Sequence, residues 1–131
     1  MLKKILVDQN KKDGKRLVLA LDAAGLEVRA AFWFFDGESG NWRLVIHFPE
    51  VDHTNLNQLY GLVQRIMWPM KPALSFGLSD VALASSFNML LGAVGQIRHT
   101  RPDEIVDLHI DGPLFPDGVQ IDGLHIYRMA M

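Results

Sequence analysis

The chain has 131 residues, a net charge of −2, no cysteine, 49% hydrophobic and 21% charged side chains. That length fits one α+β domain over 1–131, able to bury about two-thirds of the surface its unfolded chain would expose. The composition removes disulfides, thiol nucleophiles and cysteine-type zinc centres and fits a cytoplasmic protein. The charge offers no general affinity for nucleic acid or anionic membrane. No run approaches the ~20 apolar residues of a membrane span, and Met1–Val7, broken by Lys3 and Lys4, is too short and too charged for a signal peptide.

The first helix is predicted over Asp8–Ala24. Gly14, Leu17, Val18 and Leu21 form one stripe at helical spacing, with Ala20 and Ala24 beside it. Asp8 and Asp13 are alternative caps. Gly14 weakens the first turn, so the regular part could begin at Asp13. Gly25 suits a left-handed cap.

Val28–Phe48 reads as a β-hairpin. Two runs rich in aromatic and β-branched residues flank Gly, Ser and Asn, with a loop at Gly37–Gly40. The first run is apolar on both faces and belongs inside a covered sheet. The register sets Arg43, Val45 and His47 on the side of Phe32 and Phe34.

A second helix is predicted to open at Asp52-His53-Thr54 and end near Met67. Leu56, Leu59, Tyr60, Val63, Ile66 and Met67 carry its stripe, and Pro69 stops it. Met70–Asp80 is irregular. Val81–Ile97 admits two readings: one helix from Asp80, or a short strand Val81–Ala84 followed by a helix capped at Ser85 or Ser86. The two serines favour the second. Gly92 and Gly95 share a helix face, which suggests close approach of another backbone.

His99–Asp103 is a loop. Two strands, near Ile105–Phe115 and Val119–Arg128, close the chain around Pro116-Asp117-Gly118, a composition suited to a three-residue hairpin loop. Pairing Phe115 with Val119 sets Leu108 opposite Ile126 and Ile110 opposite Leu124, toward the core. His109 then faces His125, and Asp107 faces Tyr127, on the other side. Pro113 marks an edge or a bulge. The expected architecture is a mainly antiparallel four-stranded sheet of two hairpins, with about three helices on one face.

His109, His125 and Asp107, with His47 as a further member, are the sharpest site candidates. Imidazoles and a carboxylate on one sheet face can hold a divalent metal or support general acid–base chemistry. Strand alternation produces the same pattern without function. The basic cluster Lys3, Lys4, Lys11, Lys12, Lys15 and Arg16 holds six of thirteen basic residues. Its candidates for contacting an anion or a partner are Lys11, Lys12, Lys15 and Arg16, although such runs are commonly a solvated helix face. Glu27, Asp36 and Glu38 suggest a magnesium nuclease, but Arg29 stands where that pattern needs lysine. No nucleophile elbow, phosphate loop, dinucleotide fingerprint or His-Glu-x-x-His is present. The aromatic residues Phe32, Trp33, Phe34, Trp42 and Trp68 lack the basic groove of a base-stacking surface.

Gly14-Lys15-Arg16-Leu17, Ala20–Leu26, Ala30–Trp33, Glu38–Ile46 and Gly123–Arg128 resemble stretches of a group of small uncharacterised bacterial single-domain proteins with no assigned activity. The resemblance covers most of the chain, least over Lys71–Ser86. It implies a cap, a hairpin and a closing strand, and no functional residue.

The functional expectation is a non-enzymatic protein-interaction or self-associating module, a homo-oligomer formed through the sheet face or an edge strand, or a binder of another protein. The alternative is a metal-dependent hydrolase or nuclease using His109, His125 and Asp107. A weaker alternative is a nucleic-acid accessory protein using the Lys11–Arg16 face.

Overall fold

A computed structural model describes residues 5–131; Lys3, Lys4 and most of the Met1–Val7 stretch lie outside them. The elements run α1 (Asp8–Ala23), β1 (Ala30–Asp36), β2 (Asn41–His47), α2 (Leu56–Met67), β3 (Val81–Leu83), α3 (Met89–Ile97), β4 (Leu108–Leu114) and β5 (Ile121–Met129). The architecture is α+β. The sheet order is β3-β2-β1-β5-β4. Every neighbouring pair is antiparallel except β2–β3, which is parallel. The sheet is therefore five-stranded and mixed, not a four-stranded pair of hairpins. The extra strand is the Val81 segment. The sequence marks it as a short strand but not where it pairs, and β2 holds it in parallel at Leu44, Val45 and Ile46.

The first hairpin has the expected register, Phe32 opposite Val45 and Phe34 opposite Arg43, with Asp36 and Asn41 closing a Gly37–Gly40 loop. β1 occupies the centre and is apolar on both sides, so both sides need cover. Ala31, Trp33 and Phe35 join Trp42, Leu44 and Ile46 in one core, beneath Leu17, Val18 and Leu21 of α1 and Leu59 and Val63 of α2. Ala30 and Phe32 join Val45, Leu124 and Ile126 in another, beneath Leu91, Ala93 and Val94 of α3. The helices thus take both faces rather than one.

Several local expectations change. α1 runs through Gly14 without interruption, and neither Asp8 nor Asp13 caps it; Val7 precedes it with no side-chain cap. Gly14 serves closeness: a Cβ there would lie 2.5 Å from Tyr127 Oη and 2.7 Å from Trp33 Nε1. The Asp52 region forms a short 3₁₀ turn, and Asn55 caps α2 through its side chain. The split of Val81–Ile97 into strand and helix holds, but Asn88 is the cap, not a serine. Gly92 has no atom near its would-be Cβ, and Gly95 meets only the His99 ring at 3.7 Å. Their small size therefore serves no backbone approach.

The last hairpin pairs Leu108 with Ile126, His109 with His125 and Ile110 with Leu124. Nearer the turn the register shifts, so that Leu114 faces Ile121. The Phe115–Val119 pairing therefore does not continue the ladder. Pro113 lies in that irregularity, on the edge strand, where a residue lacking an N–H does least harm.

Candidate functional site

A bulge in β5 shapes the side of the sheet under α1. Partners step from Ala31–Arg128 to Phe32–Ile126, leaving Tyr127 as the extra residue. Beyond the bulge the alternation reverses. Arg128, which strict alternation would place with Ile126, instead turns toward α1. There its Nη1 and Nη2 donate to Asp22 Oδ1 and Oδ2 at 2.9 and 3.1 Å, and its remaining bonds go to the carbonyls of Glu104 and Val28. This paired, buried guanidinium was not anticipated. Its signal in the sequence is Asp22, an acid beside Leu21 on the apolar side of α1.

Next to the bulge, Tyr127 accepts from Trp33 Nε1 at 3.0 Å and donates to the Lys11 carbonyl. Burial holds its hydroxyl well above the usual phenol range. Its ring stands edge-on to His125, centroids 5.2 Å apart.

His125 and His109 face each other across β5 and β4. Their Nδ1 atoms are 3.2 Å apart. His125 Nε2 lies 2.7 Å from Asp107 Oδ1, and His109 Nε2 lies 3.2 Å from Asp111 Oδ1. Lys15 on α1 approaches Asp107 Oδ2 at 3.7 Å. The His125 side chain is 3% exposed and that of His109 29%. Thus α1 covers the face that alternation alone marks as polar, and only the outer ring reaches solvent. Burial lowers the His125 pKa, opposed by the hydrogen bond and charge of Asp107.

His47 does not join them. It lies on the α3 side, buried, with Nδ1 2.8 Å from the Ala84 carbonyl oxygen. The register explains this: His47 shares its side with Val45, whereas His109 and His125 align with Trp33 and Leu44. The two paired imidazoles direct Nδ1 at each other and Nε2 at separate carboxylates. Among the described residues no group of three or more His, Asp or Glu side chains is placed to hold a metal ion. Every ring nitrogen of the pair is engaged within the protein. Asp111 completes the constellation in place of His47; its spacing of two from His109 on one strand puts it on the same side.

Of the four described members of the basic cluster, three are paired within the protein. Arg16 donates to Asp13 at 2.9 Å and to the Pro72 carbonyl at 2.8 Å. Lys15 turns to Asp107, and Lys11 lies 3.7 Å from Asp8; Lys12 is exposed. Asp13 is buried on the apolar stripe and also accepts from Gln9 and from the Ser75 amide. Burial pushes its carboxyl upward, but the bonds from Arg16, Ser75 and Gln9 together outweigh burial and hold it below the usual range. Asp36 accepts from the Glu38 amide within the hairpin turn, and Glu27 pairs with Arg29. Both patterns are local turn and surface contacts.

Apolar surface gathers elsewhere. Phe87 (88% exposed) and Met89 (77%) lie at the head of α3, and Phe115 (64%) precedes the Pro116–Gly118 turn. α3 packs against that turn. Half-buried Leu90, Leu114 and Val119 adjoin the same core. No helix among the described residues is long and apolar enough to cross a membrane. Neither a family model, nor a curated protein, nor a solved structure matches the chain.

Proposed function

We propose that this protein is a self-associating module whose partner is a second copy, docked on the side formed by α3, the Pro116–Gly118 turn and the β4 edge. The observation that carries this reading is the exposure of Phe87 and Met89 at the head of α3 and of Phe115 just before the turn that α3 touches. Monomers rarely leave a large contiguous apolar patch in water. The central strands are covered on both faces by α1, α2 and α3. A face-to-face sheet contact is therefore closed, and the edge remains.

β4 is an outer strand of the sheet. Its Pro113 and the exposed Asp107 and Asp111 near it discourage indiscriminate strand addition. The apolar side chains beside it supply an alternative anchor. Two aromatic rings contribute roughly 150–250 Å² each. Met89, 77% exposed, extends this apolar centre, and a polar rim would supply the remainder of the ~800 Å² per partner of a standard interface. The pairing of Lys11, Lys15 and Arg16 with carboxylates, and the engagement of all four imidazole nitrogens, support this reading over phosphate binding or hydrolysis.

Sedimentation velocity across a concentration series tests it. The expected result is a dimer for the parent chain, a monomer for Phe87→Ser/Phe115→Ser, and an unchanged dimer for Trp68→Ser, which alters an exposed aromatic at the far end of α2. A parent chain that stays monomeric at high concentration would sink the reading.

A further inference from the structure

The hydrogen bonds around the imidazole pair contain a proton count. An ionised carboxylate only accepts. His125 Nε2, 2.7 Å from Asp107 Oδ1, therefore carries a proton, and so does His109 Nε2, 3.2 Å from Asp111 Oδ1. The Nδ1–Nδ1 contact of 3.2 Å requires one more between the rings. Three protons on four nitrogens is one more than two neutral imidazoles hold. We propose that His109 and His125 share one excess proton between Asp107 and Asp111, and that gain or loss of a proton by this pair loosens the β4 edge from β5.

The surroundings fit a single positive charge. From the β4 side come the carboxylates Asp107 and Asp111. From α1 come Lys15, against Asp107, and Lys11, whose charge bears on His125 and is itself paired with Asp8. From β5 comes Tyr127, kept neutral by burial. β1 and β2 contribute the uncharged Trp33 and Trp42, the latter 6.0 Å from the His109 ring. The more exposed ring takes the excess proton, because burial disfavours a charged His125.

With one proton fewer, at least one of the three contacts sets acceptor against acceptor. With one more, both Nδ1 atoms carry hydrogen and oppose each other. The chain of bonds is complete only between these limits, and the two rings titrate as a coupled pair. The β4 edge is shared with the docking reading, but this inference rests on the imidazole pair on the α1 side of the sheet and holds for a monomer.

Imidazole ¹⁵N spectra of the full chain, recorded from about pH 4.5 to 8.5 where histidines titrate, test it. In the middle of that range His109 is expected to be protonated on both nitrogens and His125 on Nε2 alone. Leu108–Asp111 amides should exchange most slowly there. On the alkaline side their exchange, corrected for its intrinsic pH dependence, should quicken about two- to tenfold, the worth of one net hydrogen bond. Asp111→Asn should move that alkaline step to lower pH while leaving the proton on His125 Nε2. Two rings titrating independently, or β4 exchange that follows the intrinsic rate throughout, would each overturn the proposal.

Discussion

Gly14 shows how one atom can decide a residue. Alanine would improve helix propensity by about 1 kcal/mol. Its Cβ, however, would fall at 2.5 Å from Tyr127 Oη and 2.7 Å from Trp33 Nε1. Both partners are buried and bonded to each other, so neither yields cheaply. Gly14→Ala should therefore lower stability by about 1–3 kcal/mol, read from urea midpoints. Arg128 poses the same kind of question for charge. Its guanidinium is sealed under α1 and depends on Asp22 for neutralisation. Asp22→Ala leaves a buried, uncompensated cation and should cost about 3 kcal/mol in the same measurement.

At the scale of elements, capping and packing divide the work differently in the three helices. α2 and α3 begin with asparagine side chains that accept from their own first-turn amides. Asn55→Ala and Asn88→Ala should each cost about 1 kcal/mol. α1 has no side-chain cap and is held instead by what it covers. Through Asp13 and Arg16 it also fastens the irregular Met70–Asp80 segment at Ser75 and Pro72. Removing Asp13 should accordingly raise amide exchange and protease cleavage in that segment before the sheet opens, a sequence of events that limited proteolysis can follow.

For the whole molecule, acid is the expected weakness. The folded-state pKa of His125 is depressed below its ordinary 6.5 by burial, despite the opposing Asp107. The unfolded chain thus binds more protons there, and stability falls as the pH drops below about 6.5. Asp13 acts in the same direction at lower pH. Its carboxyl lies below the ordinary 3.8, so its contribution is present above that value and disappears as the pH falls through the folded one. Chemical unfolding at pH 7 and pH 5 should show a smaller loss for His125→Gln than for the parent chain. Equal losses would mean that other groups dominate acid unfolding.

Local pattern alone determined the first hairpin and its loop, the α1 stripe, the left-handed Gly25 and the opposition of His109 to His125. Each follows from a periodicity of two or 3.6, or from a backbone that glycine permits, and these act over a few residues. The tertiary structure decided the rest. Whether a polar sheet face meets water or a helix depends on chain direction after a loop, and α1 lies over His125 although nothing near His125 says so. His47 fell on the opposite side from His109 because separate strands fix their parity through pairing, not through shared residue type. Likewise a single extra residue, Tyr127, reversed the alternation of β5 and sent Arg128 to Asp22. A bulge forms where packing against a neighbour favours it, and the one-dimensional pattern carries no trace of that neighbour.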